Sequence, residues 1–111
     1  MRILHNWQYR YIERCLYGYL GILDSNLDTE KQMAKAISLT REFFKDTTYG
    51  VMLEEYYFNV DMYRQKYTPA GHYNYVCEDL LCMERSNGYA IRREIIYRVA
   101  MYCYALGVFR I

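Results

Sequence analysis

Proline, histidine and long apolar runs are scarce in this chain. It has one proline, Pro69, and two histidines, His5 and His72, in 111 residues. The longest apolar tract, Val99 to Phe109, is 11 residues. That is too short to span a bilayer, so no membrane partner is expected. The N-terminus carries neither the apolar run nor the small-residue cleavage site of a signal peptide, so a cytoplasmic location with reduced thiols is expected. No pair among Cys15, Cys77, Cys82 and Cys103 has CxxC spacing. Cys77 and Cys82 are five apart, which is poor for metal ligation from one helix. All four are expected to be small buried hydrophobes. There is no Pro- or Gly-rich linker and no internal repeat, so residues 1–111 read as one domain.

Catalytic signatures are missing too. The sequence has no HExxH, ExxH pair, nucleophile elbow, P-loop or GxGxxG loop. His5 and His72 each stand alone near a predicted helix start, as exposed or capping histidines do. Glu54–Glu55 and Glu78–Asp79 are sequence neighbours, and neighbours on a helix point about 100° apart. Neither pair makes a two-carboxylate site alone. The expectation is a protein that is not an enzyme, with no cofactor and no metal.

What the chain does have is tyrosine, 15 in all, within an apolar content of 53%. Each brings a large ring with one polar end, so most belong at the edge of a core or at an interface. Formal net charge is +1, and it is unevenly spread. In residues 49–83, Arg64 and Lys66 face Glu54, Glu55, Asp61, Glu78 and Asp79, a net of −3. In residues 84–111, Arg85, Arg92, Arg93, Arg98 and Arg110 face Glu84 and Glu94, a net of +3.

Apolar spacing predicts an all-α bundle of about five helices. The first carries Trp7, Tyr11, Cys15 and Tyr19 inward, with Ile12, Leu16 and Leu20 beside them. The second starts near Ser25 or Asp28, both plausible N-caps, and buries Met33, Ala36, Ile37, Thr40 and Phe44. The third runs from about Val51 to Tyr67, with Leu53, Tyr56, Tyr57, Val60 and Tyr67 inward. "YTPAGH" breaks the chain. A short helix from about His72 to Cys82 then buries Tyr73, Val76 and Leu80. The last spans about Gly88 to Leu106, with Ser86 or Asn87 as N-cap and Gly107 as C′. Its inner stripe is Ile91, Ile95, Val99, Tyr102 and Leu106. Other faces are also apolar after Ile95, so the helix is expected either at the bundle centre or shared in a homodimer. The runs "YYFNV" and "VMLEEYYF" favour strands locally, but helical spacing accounts for more of the chain.

The last two helices stand in helix-turn-helix order: "YVCEDLLC", the turn "MERSNG", then "YAIRREII". Arg92 and Arg93 occupy the first turns, where a recognition helix reaches base edges. The stretch "VCEDLLCMERSNGYAIRREIIYRVA" resembles the C-terminal helix-turn-helix of ArpU/RinA-like transcriptional regulators from phages of Gram-positive bacteria. The resemblance covers about residues 72–100. It implies a double-stranded DNA partner and places Arg85, Ser86, Tyr89, Arg92 and Arg93 as DNA-facing residues. The turn is one residue longer than usual, and Gly88 sits at the helix start.

A different class fits the tyrosines. Tyr and Arg are enriched in interface hot spots. A phage or mobile-element protein that blocks a host protein, such as an anti-CRISPR or other anti-defence inhibitor, needs no catalytic motif. Its expected surface is a tyrosine-rich acidic patch of Glu54, Glu55, Tyr57, Asp61, Tyr63 and Tyr67.

Overall fold

The computed structural model describes residues 4–109, so Arg110 of the basic tail lies outside the described residues. The chain forms five helical rods and, among the described residues, no strand. The first rod is α1 (Asn6–Tyr17) continued by the short α2 (Tyr19–Ile22). The second is α3 (Asp28–Phe43). The third begins as α4 (Thr48–Val51), widens into a π-helical segment (Met52–Phe58) and ends as α5 (Val60–Arg64). The fourth is α6 (Pro69–Asn74) followed by a second π-helical segment (Tyr75–Leu80). The fifth is α7 (Arg85–Ala105).

Local chemistry marks the rod ends. His5 is the N-cap of α1, and its N–H donates to Gln8 Oε1 at 3.0 Å. Thr47 and Thr68 cap α4 and α6 by accepting from the N–H of Gly50 and Gly71. Pro69 fills the first turn of α6, where its missing N–H costs nothing. Asp46 (φ 62) and Cys82 (φ 52) adopt left-handed backbone in the turns before α4 and α7. Gly107 (φ 81) closes α7 in the expected C′ position.

The centre is α7. It lies antiparallel to α3, with Arg98 over Phe43 and Cys103 Sγ 3.7 Å from Met33 Sδ. It also lies antiparallel to α1, with Gln8 bonded to Tyr104 and Glu13 to Arg92. Ile91, Ile95, Ile96, Val99, Ala100 and Cys103 are buried inside the one chain. Met101 of the same helix stays exposed, and Tyr97, Tyr102 and Leu106 are half-buried.

Every inward residue expected on α3 is buried, from Met33 to Phe44. Its N-cap is Leu27, so Asp28 is the first helical residue. On α1 the buried line is Gln8, Ile12, Leu16 and Tyr19, while Trp7 is 62% exposed and Leu20 is exposed with it. The expected phase was one position off, because a buried glutamine replaced an apolar signal. In the third rod Val60 and Tyr67 are half-buried, and in the fourth Leu80 is exposed. α7 starts at Arg85 with Glu84 as N-cap, three residues ahead of expectation. Cys82 is exposed and Cys15 half-buried, so only Cys77 and Cys103 behave as buried hydrophobes.

Candidate functional site

Arg92 lies on the buried face of α7, three or four residues before Ile95 and Ile96. Its side chain is only 15% exposed. Its Nη2 donates to Glu13 Oε2 at 2.7 Å, and its Nε to the Tyr57 hydroxyl at 3.1 Å. The Tyr57 hydroxyl donates to the same Glu13 oxygen at 2.8 Å. Around the guanidinium stand the rings of Tyr56 (4.8 Å), Tyr73 (5.1 Å), Tyr89 (5.5 Å) and Tyr57 (5.9 Å). Burial pushes the guanidinium toward neutrality, but Tyr57 and Glu13 more than reverse this, so Arg92 stays cationic. The network joins α1, the first π segment and α7 through one charge.

This placement corrects two expected site residues. Arg92 is not a free DNA-facing arginine, because its Nε and Nη2 donate to Tyr57 and Glu13 inside the protein and four tyrosine rings stand 4.8–5.9 Å from its guanidinium carbon. Tyr57 is fully buried and cannot be a partner-binding surface residue. The other expected DNA-facing residues, Arg85, Ser86, Tyr89 and Arg93, are exposed. Arg85, Ser86 and Tyr89 share an open hollow with Glu78 and Glu84, whose carboxylates repel phosphate. Gly88 explains itself here: a Cβ would overlap the Tyr73 hydroxyl and Cys77 sulfur. The Tyr73 hydroxyl donates to the Arg85 carbonyl at 2.7 Å, pinning the start of α7.

Two of the three carboxylates of the expected acidic patch face arginines. Arg41 forks onto Glu54 through Nε and Nη2. Asp61 lies 3.5 Å from Arg64, and Glu55 accepts from the Tyr63 hydroxyl at 2.8 Å. What remains there is aromatic. Tyr17, Tyr56, Val60, Tyr63, Tyr67, Pro69 and His72 line a cleft of about 290 Å³, with Arg64 and Thr68 at its polar points. Tyr63 stacks on His72 (4.4 Å) and Tyr67 on Tyr75 (5.2 Å), so packed neighbours hold the walls. The Tyr17 and Tyr56 hydroxyls pair at 2.6 Å. Burial, then the bond to Tyr56, pushes the Tyr17 hydroxyl up. Burial and the Glu55 carboxylate push Tyr63 up to about 12. Both hydroxyls are therefore neutral at physiological pH.

His72 is 3% exposed, against the expectation of an exposed or capping histidine. Its Nε2 lies 2.8 Å from the Glu55 carbonyl oxygen. Glu55 sits in the first π segment, at whose end the Asn59 N–H bonds the Glu54 carbonyl, five residues back. His72 thus ties the fourth rod to the third across the cleft floor. No sequence pattern pointed to His72, since its partner is a backbone atom. A wider groove of about 840 Å³ runs past Arg41, Lys45, Thr47 and Glu54, but charged and hydroxyl side chains dominate it.

Among the described residues, no three His, Cys, Asp or Glu side chains group to hold a metal ion. Among the same residues, no helix is long and apolar enough to cross a membrane. No family model, curated protein or solved structure matches the chain. The ArpU/RinA resemblance therefore rests on the quoted residues alone.

Proposed function

We propose that this protein is a non-enzymatic binding module that docks a segment of another protein in the tyrosine-lined cleft. The observation that carries this reading is the concave wall of Tyr63, Tyr67 and His72, held by ring stacking and open to solvent on one side. Preformed aromatic concavities with few polar points favour binding, because little side-chain freedom is lost on docking. The setting proposed is a phage or mobile-element protein that binds and inhibits a host protein, anti-CRISPR or other anti-defence inhibitors included. Small size and tyrosine content support that setting.

The test is capture from host lysate by wild type and by Tyr63→Ala/Tyr67→Ala, with unfolding curves confirming that the variant folds. A stoichiometric partner kept by wild type and lost by the variant is expected. A partner retained equally by both rejects the cleft.

The second reading is a DNA-binding transcriptional regulator. Its support is the exposure of Arg85, Ser86, Tyr89 and Arg93 in the first turns of the 21-residue helix α7. It is the weaker proposal, because Arg92 is committed internally and Glu78 and Glu84 stand beside that surface.

A further inference from the structure

The cleft's polar atoms narrow what it holds. A carbonyl only accepts, so the contact with Glu55 puts the hydrogen of neutral His72 on Nε2. Nδ1 is then an acceptor, and it has no protein partner among the described residues. No fully buried side-chain nitrogen or oxygen among those residues lacks a partner, so Nδ1 is not wholly enclosed. His72 lines this cleft.

The neighbouring ring supplies the opposite chemistry. Tyr56 lies 5.3 Å from His72, centroid to centroid, and its hydroxyl pairs with that of Tyr17. One hydroxyl of a pair donates, so the receiving hydroxyl keeps a hydrogen to give. The cleft therefore offers one acceptor and one donor on adjacent rings. Arg64 adds a positive charge at the edge, held only by a loose surface contact with Asp61. At about 290 Å³ the cleft lies at the small end of ligand sites, which run from about 300 to 1,000 Å³. It has room for one large side chain.

We infer that the cleft takes a tyrosine side chain of the partner, with an acidic residue beside that tyrosine facing Arg64. This rests on the cleft reading above. A phenol hydroxyl donates to His72 Nδ1 and accepts from the Tyr17–Tyr56 pair. Phenylalanine does neither, and tryptophan only donates. The carboxylate answers the one cation that lines the cleft.

The test is an NMR titration of the labelled full chain with four dipeptides: N-acetyl-Glu-Tyr-amide and its phenylalanine, O-methyltyrosine and Gln-Tyr counterparts. The Glu-Tyr probe should shift cleft resonances and bind about 30-fold tighter than Glu-Phe, the size of two hydrogen bonds. O-methyltyrosine still accepts but cannot donate, so it should lose about fivefold, the size of one hydrogen bond. Gln-Tyr should bind about twofold weaker, and that difference should vanish in Arg64→Gln. In His72→Phe the tyrosine preference should fall to about fivefold, the share of the Tyr17–Tyr56 pair, while the wild-type series tests the inference independently of that variant's folding. Equal binding of Glu-Tyr and Glu-Phe at the cleft overturns the tyrosine inference and leaves the cleft reading standing. No shift in the cleft with any probe overturns both.

Discussion

Arg92 and Glu13, 79 residues apart in sequence, meet at 2.7 Å inside the bundle, each largely withdrawn from water. Removing one partner of a buried ion pair leaves the other charge uncompensated, which costs about 3–5 kcal/mol. Arg92→Ala should lower the unfolding free energy by that order in urea titrations. Arg92→Lys keeps the charge but loses the planar fork that lies among the tyrosine rings, so it should fall between. An Arg92→Ala protein as stable as wild type would show that this network does not hold the rods together.

The same commitment bears on nucleic acid. Fluorescence anisotropy with mixed duplex DNA should show no tight binding that falls steeply with salt. Binding that does fall steeply, with its slope reduced by about one for each of Arg85→Ala and Arg93→Ala, would favour the regulator reading instead.

Gly88 gives a test of helix packing with opposing terms. Alanine gains about 1 kcal/mol of helix propensity over glycine. Its Cβ would press on Tyr73 and Cys77, both buried, and Tyr73 is held by the Arg85 carbonyl. Overpacking typically costs about 1–3 kcal/mol, so it should outweigh the gain. Gly88→Ala is expected to lower the thermal midpoint, and an unchanged or raised midpoint contradicts the close approach.

Stability should fall at alkaline pH. Folding raises the Tyr63 hydroxyl to about 12 and also raises Tyr17, Tyr57 and Tyr73, chiefly through burial. Burial also raises the Cys103 thiol to about 12. A raised folded value means that the unfolded chain loses these protons first. The stabilising contribution is complete below the unfolded values, near 9 for thiol and 10 for phenol. It is lost as pH rises toward the folded values. Urea midpoints measured between pH 8 and 11 should drop beyond pH 9, and a flat profile would contradict the burial of these groups.

Much of this architecture was legible before any coordinates. Helix α3 has a clean apolar stripe between polar breaks, and every residue of that stripe is buried. The last helix was placed at the centre or in a dimer seam, and burial within the chain favours the first. The site was harder to read. Arg92 shares the phase of Ile95, Ile96 and Val99, so its inward position was visible in the spacing. Its charge concealed it, because Glu13 comes close only through tertiary folding. The π-helical segments leave no periodic trace, and they set which faces Tyr56, Tyr57 and Tyr63 present. The acidic patch is partly neutralised for a similar reason, since Arg41 and Arg64 come from outside the acidic run or from one turn along it.

The most direct test of the account is photo-crosslinking in the natural host, with Arg64 replaced by benzoylphenylalanine in one protein and Tyr89 in another. A protein adduct of fixed mass is expected from position 64 at the cleft edge. It should disappear when Tyr63 and Tyr67 are also alanine, and position 89 should yield none. An adduct from position 89, to DNA or protein, with nothing from position 64, would place the working surface on the start of α7 and contradict the cleft.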